Sequence, residues 1–189
     1  MTGNSENGSG RRVRRWRLVA WGAAVIILLI PLFAMQVTDQ VVWDLTDFAV
    51  LGALLVVVGL TFELAVKKTV NTAYRAATGV ALAAAFILIG VNGAVGVIGT
   101  AHDDGNLMFG GVLAIGIIGS LIARFKPHGM ARVMFVTALA HALVAVIALI
   151  AGFGSTGPIW PVDILVSTVF FTALWLLSAW LFRKSIREQ

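Results

Sequence analysis

The sequence predicts an all-α membrane protein: a bundle of six transmembrane helices with short loops and both termini on the cytoplasmic side. Three observations carry this prediction. Hydrophobic residues make up 59% of the 189-residue chain and charged residues 12%, more apolar side chain than a soluble domain of this length buries in one core. The apolar residues gather into six stretches, each close to the ~20 residues that cross ~30 Å of hydrocarbon. All fourteen lysines and arginines lie beside alternate ends of those stretches: five from Arg11 to Arg17, then Lys67, Lys68 and Arg75, then Arg124, Lys126 and Arg132, then Arg183, Lys184 and Arg187. Basic side chains next to a span resist translocation, so the loops that carry them are expected to stay inside.

Residues 1–17 are expected to form a disordered basic cytoplasmic tail, residues 18–182 the six-helix domain, and residues 183–189 a short basic cytoplasmic tail. The first span, Leu18 to Met35, follows the five arginines. Because Ala34-Met35-Gln36 lacks a small-x-small cleavage pattern, it is read as a retained helix and not as a removed signal. The later spans are expected near Phe48 to Val66, Ala76 to Gly99, Leu107 to Ala123, Val133 to Gly152 and Val162 to Phe182. Pro127-His128-Gly129 is expected to turn the chain on the inside and Gly154 to Pro161 on the outside. Connections this short predict that sequential helices lie antiparallel as neighbours.

The formal net charge of +5 is spread over four juxtamembrane clusters, which suits anionic lipid headgroups at the cytoplasmic face and argues against nucleic acid. Without cysteine the chain has no thiolate ligands for zinc or iron–sulfur clusters, and no cofactor is expected. The outward loops hold Asp39, Asp44, Asp47, Asp103, Asp104 and Asp163, with His102 beside one pair. Such a set could draw a hard cation, but Asp44, Asp47, Asp103, Asp104 and Asp163 lie near helix N-termini. Capping and dipole complementarity, at ~0.3–1 kcal/mol each, account for them without a metal.

Three polar residues fall within spans. Glu63 shares a helical face with Gly59, Gly52 and Ala49 and stands one turn from Lys67, which suits an ion pair near the inner surface. His141 lies ~15 Å from Arg132 along the helix, near the midplane, on a face with Thr137, Ala145, Ala148 and Gly152. It is expected to turn into the bundle and to hydrogen-bond to another helix. As the lone intramembrane imidazole it makes bis-histidine haem ligation within one chain implausible. Asn92, ~24 Å along its helix from Ala76, sits toward the outer edge. Together the three sample inner, middle and outer depths, which is compatible with a polar path and too wide for one catalytic site.

Small residues at small-xxx-small spacing are candidate helix-packing positions: Gly79 with Ala83, Gly90 with Ala94 and Gly116 with Ser120, alongside Gly52 and Gly59 on the Glu63 face. Gly96, Gly99 and Gly105 admit a broken helix between Val95 and Asn106, although an ordinary loop at the outer boundary is the favoured reading.

The runs Asn92-Gly-Ala-Val-Gly-Val-Ile-Gly, Asn106-Leu-Met-Phe-Gly-Gly-Val-Leu-Ala-Ile-Gly-Ile-Ile-Gly and Ala123-Arg-Phe-Lys-Pro-His-Gly-Met resemble a group of small uncharacterised bacterial integral membrane proteins. The resemblance covers roughly residues 48–152. It implies a bacterial plasma-membrane setting and brings no reaction or ligand with it. With no catalytic or phosphate-binding motif in the sequence, an enzyme is not expected. The leading reading is a multi-pass accessory or interaction protein, partnered by a second copy or another membrane protein, whose intramembrane polar groups act as structural ties. The alternative is a small oligomeric transporter or channel, coupled to protons or cations, that uses Glu63 and His141.

Overall fold

The computed structural model describes residues 6–38, 42–101, 103–155, 157 and 159–188. Asp39 and His102 of the outward set lie outside them. The described regular structure is helical throughout: α1 (Glu6–Val37), α2 (Leu45–Lys68), α3 (Thr72–Ala94), a 3₁₀ turn at Asp104–Asn106, α4 (Leu107–Ile122), α5 (Pro127–Ala151) and α6 (Val162–Arg187). Among the described residues five stretches are long and apolar enough to cross a membrane: Leu45–Ala65, Thr72–Ala94, Asp104–Ile122, Pro127–Ala151 and Val162–Arg187. The apolar part of α1, Trp21–Val37, is shorter. The chain divides into two compact units, residues 1–63 and 64–189.

The first unit holds α1 and most of α2. Helix α1 begins at Glu6 and so takes in residues 6–17, which composition alone assigns to an irregular tail. Arginine is a good helix former, and a helix already set by an apolar span extends into such a segment at little cost. Asp44 and Asp47 open α2 with a reciprocal cap: the Asp47 N–H donates to Asp44 Oδ1 at 3.0 Å and the Asp44 N–H to Asp47 Oδ2 at 2.9 Å. The Asp47 N–H holds the Asp44 carboxyl below its ordinary value of 3.8.

In the second unit α5 and α3 pack along α6, and α4 packs on α5. Chain neighbours α3 and α4 are therefore not the principal packing partners that short loops predict, because the twelve residues from Val95 to Asn106 let α4 depart from α3. The interior is built from small and polar residues as well as large ones. Ala77, Ala84, Ala138, Ala145, Ala148, Thr137 and Ser178 are buried, while Leu139, Leu143, Val146 and Ile150 of α5 are exposed. Putting small residues between helices and branched aliphatics outside suits lipid as the solvent, where close backbone approach replaces hydrophobic drive. Ser178 Oγ donates to Ala77 O across α6 and α3 at 2.9 Å, and Tyr74 meets Phe182 edge to face at 5.1 Å.

Two expectations about the ends of helices are corrected. Pro127-His128-Gly129 does not turn the chain; it opens α5, with Lys126 as N-cap and Pro127 in the first turn. Proline suits that place because its missing N–H would have had no helical acceptor. The turn falls instead at Arg124 and Phe125, both in the left-handed region at φ 50° and 56°, and Tyr74 Oη holds it by donating to Phe125 O at 2.7 Å. Residues 183–187, assigned from sequence to a tail, continue α6. Ser185 is buried there, and its carbonyl accepts from Asn71 Nδ2 at 3.2 Å. Basic side chains at a helix C-terminus complement the dipole, so Lys184 and Arg187 favour the extension.

Candidate functional site

Helix α5 places His141 by the spacing of its small residues. Thr137, Ala138, Ala145 and Ala148 share the buried face, so α4 and α6 approach closely enough to enclose the ring. On the α4 side the approach is set by Gly116 and Gly119. A Cβ on Gly116 would stand 3.6 Å from Thr137 Oγ1, and one on Gly119 would fall 2.8 Å from Val133 Cγ1. Gly116 and Ser120 thus lie in a packed interface, whereas Gly90 has nothing within 4 Å of a built Cβ and Ala83 and Ala94 are exposed. The buried face of α3 is the one carrying Ala77, Ala84 and Leu88.

The imidazole of His141 is fully buried, with ring centroids at 5.1 Å from Phe109 and 5.4 Å from Phe171. Among the described residues neither ring nitrogen has a hydrogen-bond partner. The expected interhelical hydrogen bond is therefore not what the packing provides: the residues that reach the ring are phenylalanines, which offer faces and edges. Thr172 Oγ1 and Trp175 Nε1 on α6 and Asn92 Oδ1 on α3 are likewise buried and unbonded. An unbonded buried polar group costs about 1–3 kcal/mol.

Glu63 belongs to the first unit. Trp21 Nε1 donates to Glu63 Oε1 at 3.0 Å, and the indole lies over Gly59, where a Cβ would stand 3.3 Å from Trp21 Cη2. The small-residue face of α2 is thus a seat for an indole at Gly59, while Gly52 has nothing within 4 Å. The pairing of Trp21 with Glu63 is not legible in sequence, because the two residues are 42 positions apart.

Asn92 is tied to the loop between α3 and α4. Its Nδ2 donates to Asn106 O at 3.2 Å. Asn106, which sequence reading treats only as part of a motif, organises that loop. Its Oδ1 accepts from the N–H groups of Val97 at 3.0 Å and Ile98 at 2.9 Å, and its Nδ2 donates to Ile98 O at 3.0 Å and Thr100 O at 2.6 Å. The segment from Val95 to Asn106 is accordingly a closed loop and not a broken helix. Two carboxylates bond locally: Asp103 Oδ1 caps the 3₁₀ turn by accepting from Gly105 N at 3.0 Å, and Asp163 Oδ1, inside the first turn of α6, accepts from Ile164 N at 2.8 Å.

Asn92 and His141 share the second unit but differ in surroundings, one hydrogen-bonded at the loop and the other among rings. Among the described residues no group of three or more His, Asp or Glu side chains is placed to hold a metal ion. No protein-family model matches the chain, and comparison with curated proteins and with solved structures finds no match either.

Proposed function

We propose that the chain is a six-span bacterial inner-membrane protein with both termini in the cytoplasm, and that it serves as an accessory or interaction subunit for another membrane protein or a second copy. The supporting observation is how two of the three intramembrane polar residues are used. Glu63 seats Trp21 and Asn92 anchors Asn106, so both act as ties within the fold. The topology follows from the basic residues flanking alternate ends of the spans, with α1 crossing through its apolar part below the five arginines. Reporter fusions at Lys126 and at the C-terminus are expected to give cytoplasmic signals, and a fusion at Ser155 an exterior one. An exterior signal at Lys126 would overturn the arrangement. Purification in mild detergent, followed by mass spectrometry and an absorption spectrum of the same sample, is expected to return a stoichiometric partner or an oligomer without a pigment band. A lone monodisperse monomer would sink the accessory reading.

A second reading, a small proton-coupled carrier or channel, is favoured by His141. Its unbonded nitrogens have a stabilising replacement: His141→Phe keeps a ring between Phe109 and Phe171 and removes two buried polar atoms. The variant is expected to melt no lower than the wild type, with a gain of up to about 1–3 kcal/mol; a loss would reveal a polar partner holding the ring. In proteoliposomes with a trapped pH dye, the carrier reading expects wild-type proton movement that His141→Phe and Glu63→Gln each reduce. A wild-type rate equal to that of empty vesicles, with and without an imposed potential and across a solute panel, would leave the accessory reading alone.

A further inference from the structure

The second unit carries a groove of about 780 Å³ between the C-terminal turns of α3 and the N-terminal turns of α6. Its apolar walls are Ile87 and Val91 on α3 with Val95 just past its end, and Val166, Phe170 and Phe171 on α6, and Trp160 and Asp163 stand at the end nearest the loops. The volume lies within the ~300–1,000 Å³ range of sites that enclose small molecules. Length identifies the occupant. From Ile87 to Val95, and equally from Asp163 to Phe171, the walls run ~12 Å along their helices, close to the ~15 Å that one leaflet contributes to the hydrocarbon core. A neighbouring transmembrane helix would need a face running the full ~30 Å. At the deep end stands Phe171, whose ring also packs on His141 at 5.4 Å.

The loop end supplies a charge. Asp163 is half-buried. One oxygen of its carboxylate accepts from the Ile164 N–H, and no ion pair engages it among the described residues. Trp160 also lines the groove, and an aromatic ring attracts organic cations. An anion on an apolar slot one leaflet deep complements a molecule with a cationic head and a long aliphatic chain, and repels one whose head is only anionic.

We propose that this groove binds an acyl chain of a phospholipid whose headgroup bears a primary ammonium, with the ammonium on Asp163 and Trp160 and the chain along the α3 and α6 walls. The lipid comes from the leaflet that contains the α5–α6 loop. The site is independent of the accessory or carrier reading.

The test uses the full chain, stripped of lipid in detergent and exchanged into mixed micelles of phosphatidylethanolamine or phosphatidylglycerol with identical acyl chains. Retained lipid is counted by native mass spectrometry. The wild type is expected to retain phosphatidylethanolamine over phosphatidylglycerol by roughly two- to fivefold, the scale of one partly exposed ion pair. Asp163→Asn should abolish the preference, and Asp163→Glu, which keeps the charge, should preserve it. Ser167→Trp fills the groove and should lose both lipids. Equal retention of the two lipids by the wild type overturns the proposal, as does a preference that survives Asp163→Asn or full retention in Ser167→Trp. A disulfide joining two chains through Val166→Cys would seat a second copy in the groove and overturn it as well.

Discussion

Asn106→Ala is expected to destabilise the fold by about 3–5 kcal/mol, read as a lowered thermal midpoint. The alanine leaves the N–H groups of Val97 and Ile98 without their acceptor and the carbonyls of Ile98 and Thr100 without their donor. Buried backbone groups left unbonded cost about 1–3 kcal/mol each; Thr100 is exposed, so water offsets part of its loss. The matched control is Asn92→Leu. That change removes one hydrogen bond of 3.2 Å and also an unbonded buried oxygen, so it should fall within about 1 kcal/mol of the wild type. Melting of the two variants in the same detergent decides the matter. Equal midpoints would show that Asn106 does not hold the loop.

Gly154→Ala is expected to cost about 2–4 kcal/mol, by two separable effects. Gly154 has φ +72°, where an L side chain is disfavoured by about 1–2 kcal/mol. Its added Cβ would also fall 2.8 Å from Gly99 N and 3.1 Å from Gly99 Cα, backbone that cannot rotate away as a side chain does. Gly99 belongs to the loop that Asn106 closes, so the α3–α4 and α5–α6 loops meet glycine to glycine. Gly152 isolates the first effect. It has the same φ of +72°, but a Cβ there would meet only Ser155 Oγ at 3.8 Å. Gly152→Ala should therefore cost about 1 kcal/mol, and the difference between the two variants measures the loop contact. Indistinguishable midpoints would mean the loops separate easily.

The candidate site was legible in the sequence to different degrees. Periodicity placed His141 on a buried face with Thr137, Ala145 and Ala148, and burial bears this out, because small residues at helical spacing mark where another backbone comes close. The same signal said nothing about Phe109 and Phe171, which reach the ring from other helices. At Glu63 the glycine face was visible but its indole was not. On α3 the Gly90 and Ala94 spacing was visible, yet that face lies exposed while Ala84 and Leu88 are buried. Spacing shows where a partner fits; it does not say which side of the helix receives one.

By itself the sequence determined that this is a helical protein with long apolar spans, and that Asp44 and Asp103 cap the elements they precede. Both are local properties: a span is judged against lipid residue by residue, and a carboxylate reaches its own next turn. Only the tertiary structure decided that α3 pairs with α6, that Pro127 opens a helix, and that Asn106 and Trp21 are the anchors of the polar residues near them. Those outcomes join Ser178 to Ala77 across 101 positions and Trp21 to Glu63 across 42. A hydrogen bond over such a separation exists only once loop length and small-residue contacts have brought the helices together, and no pattern within one helix encodes that meeting.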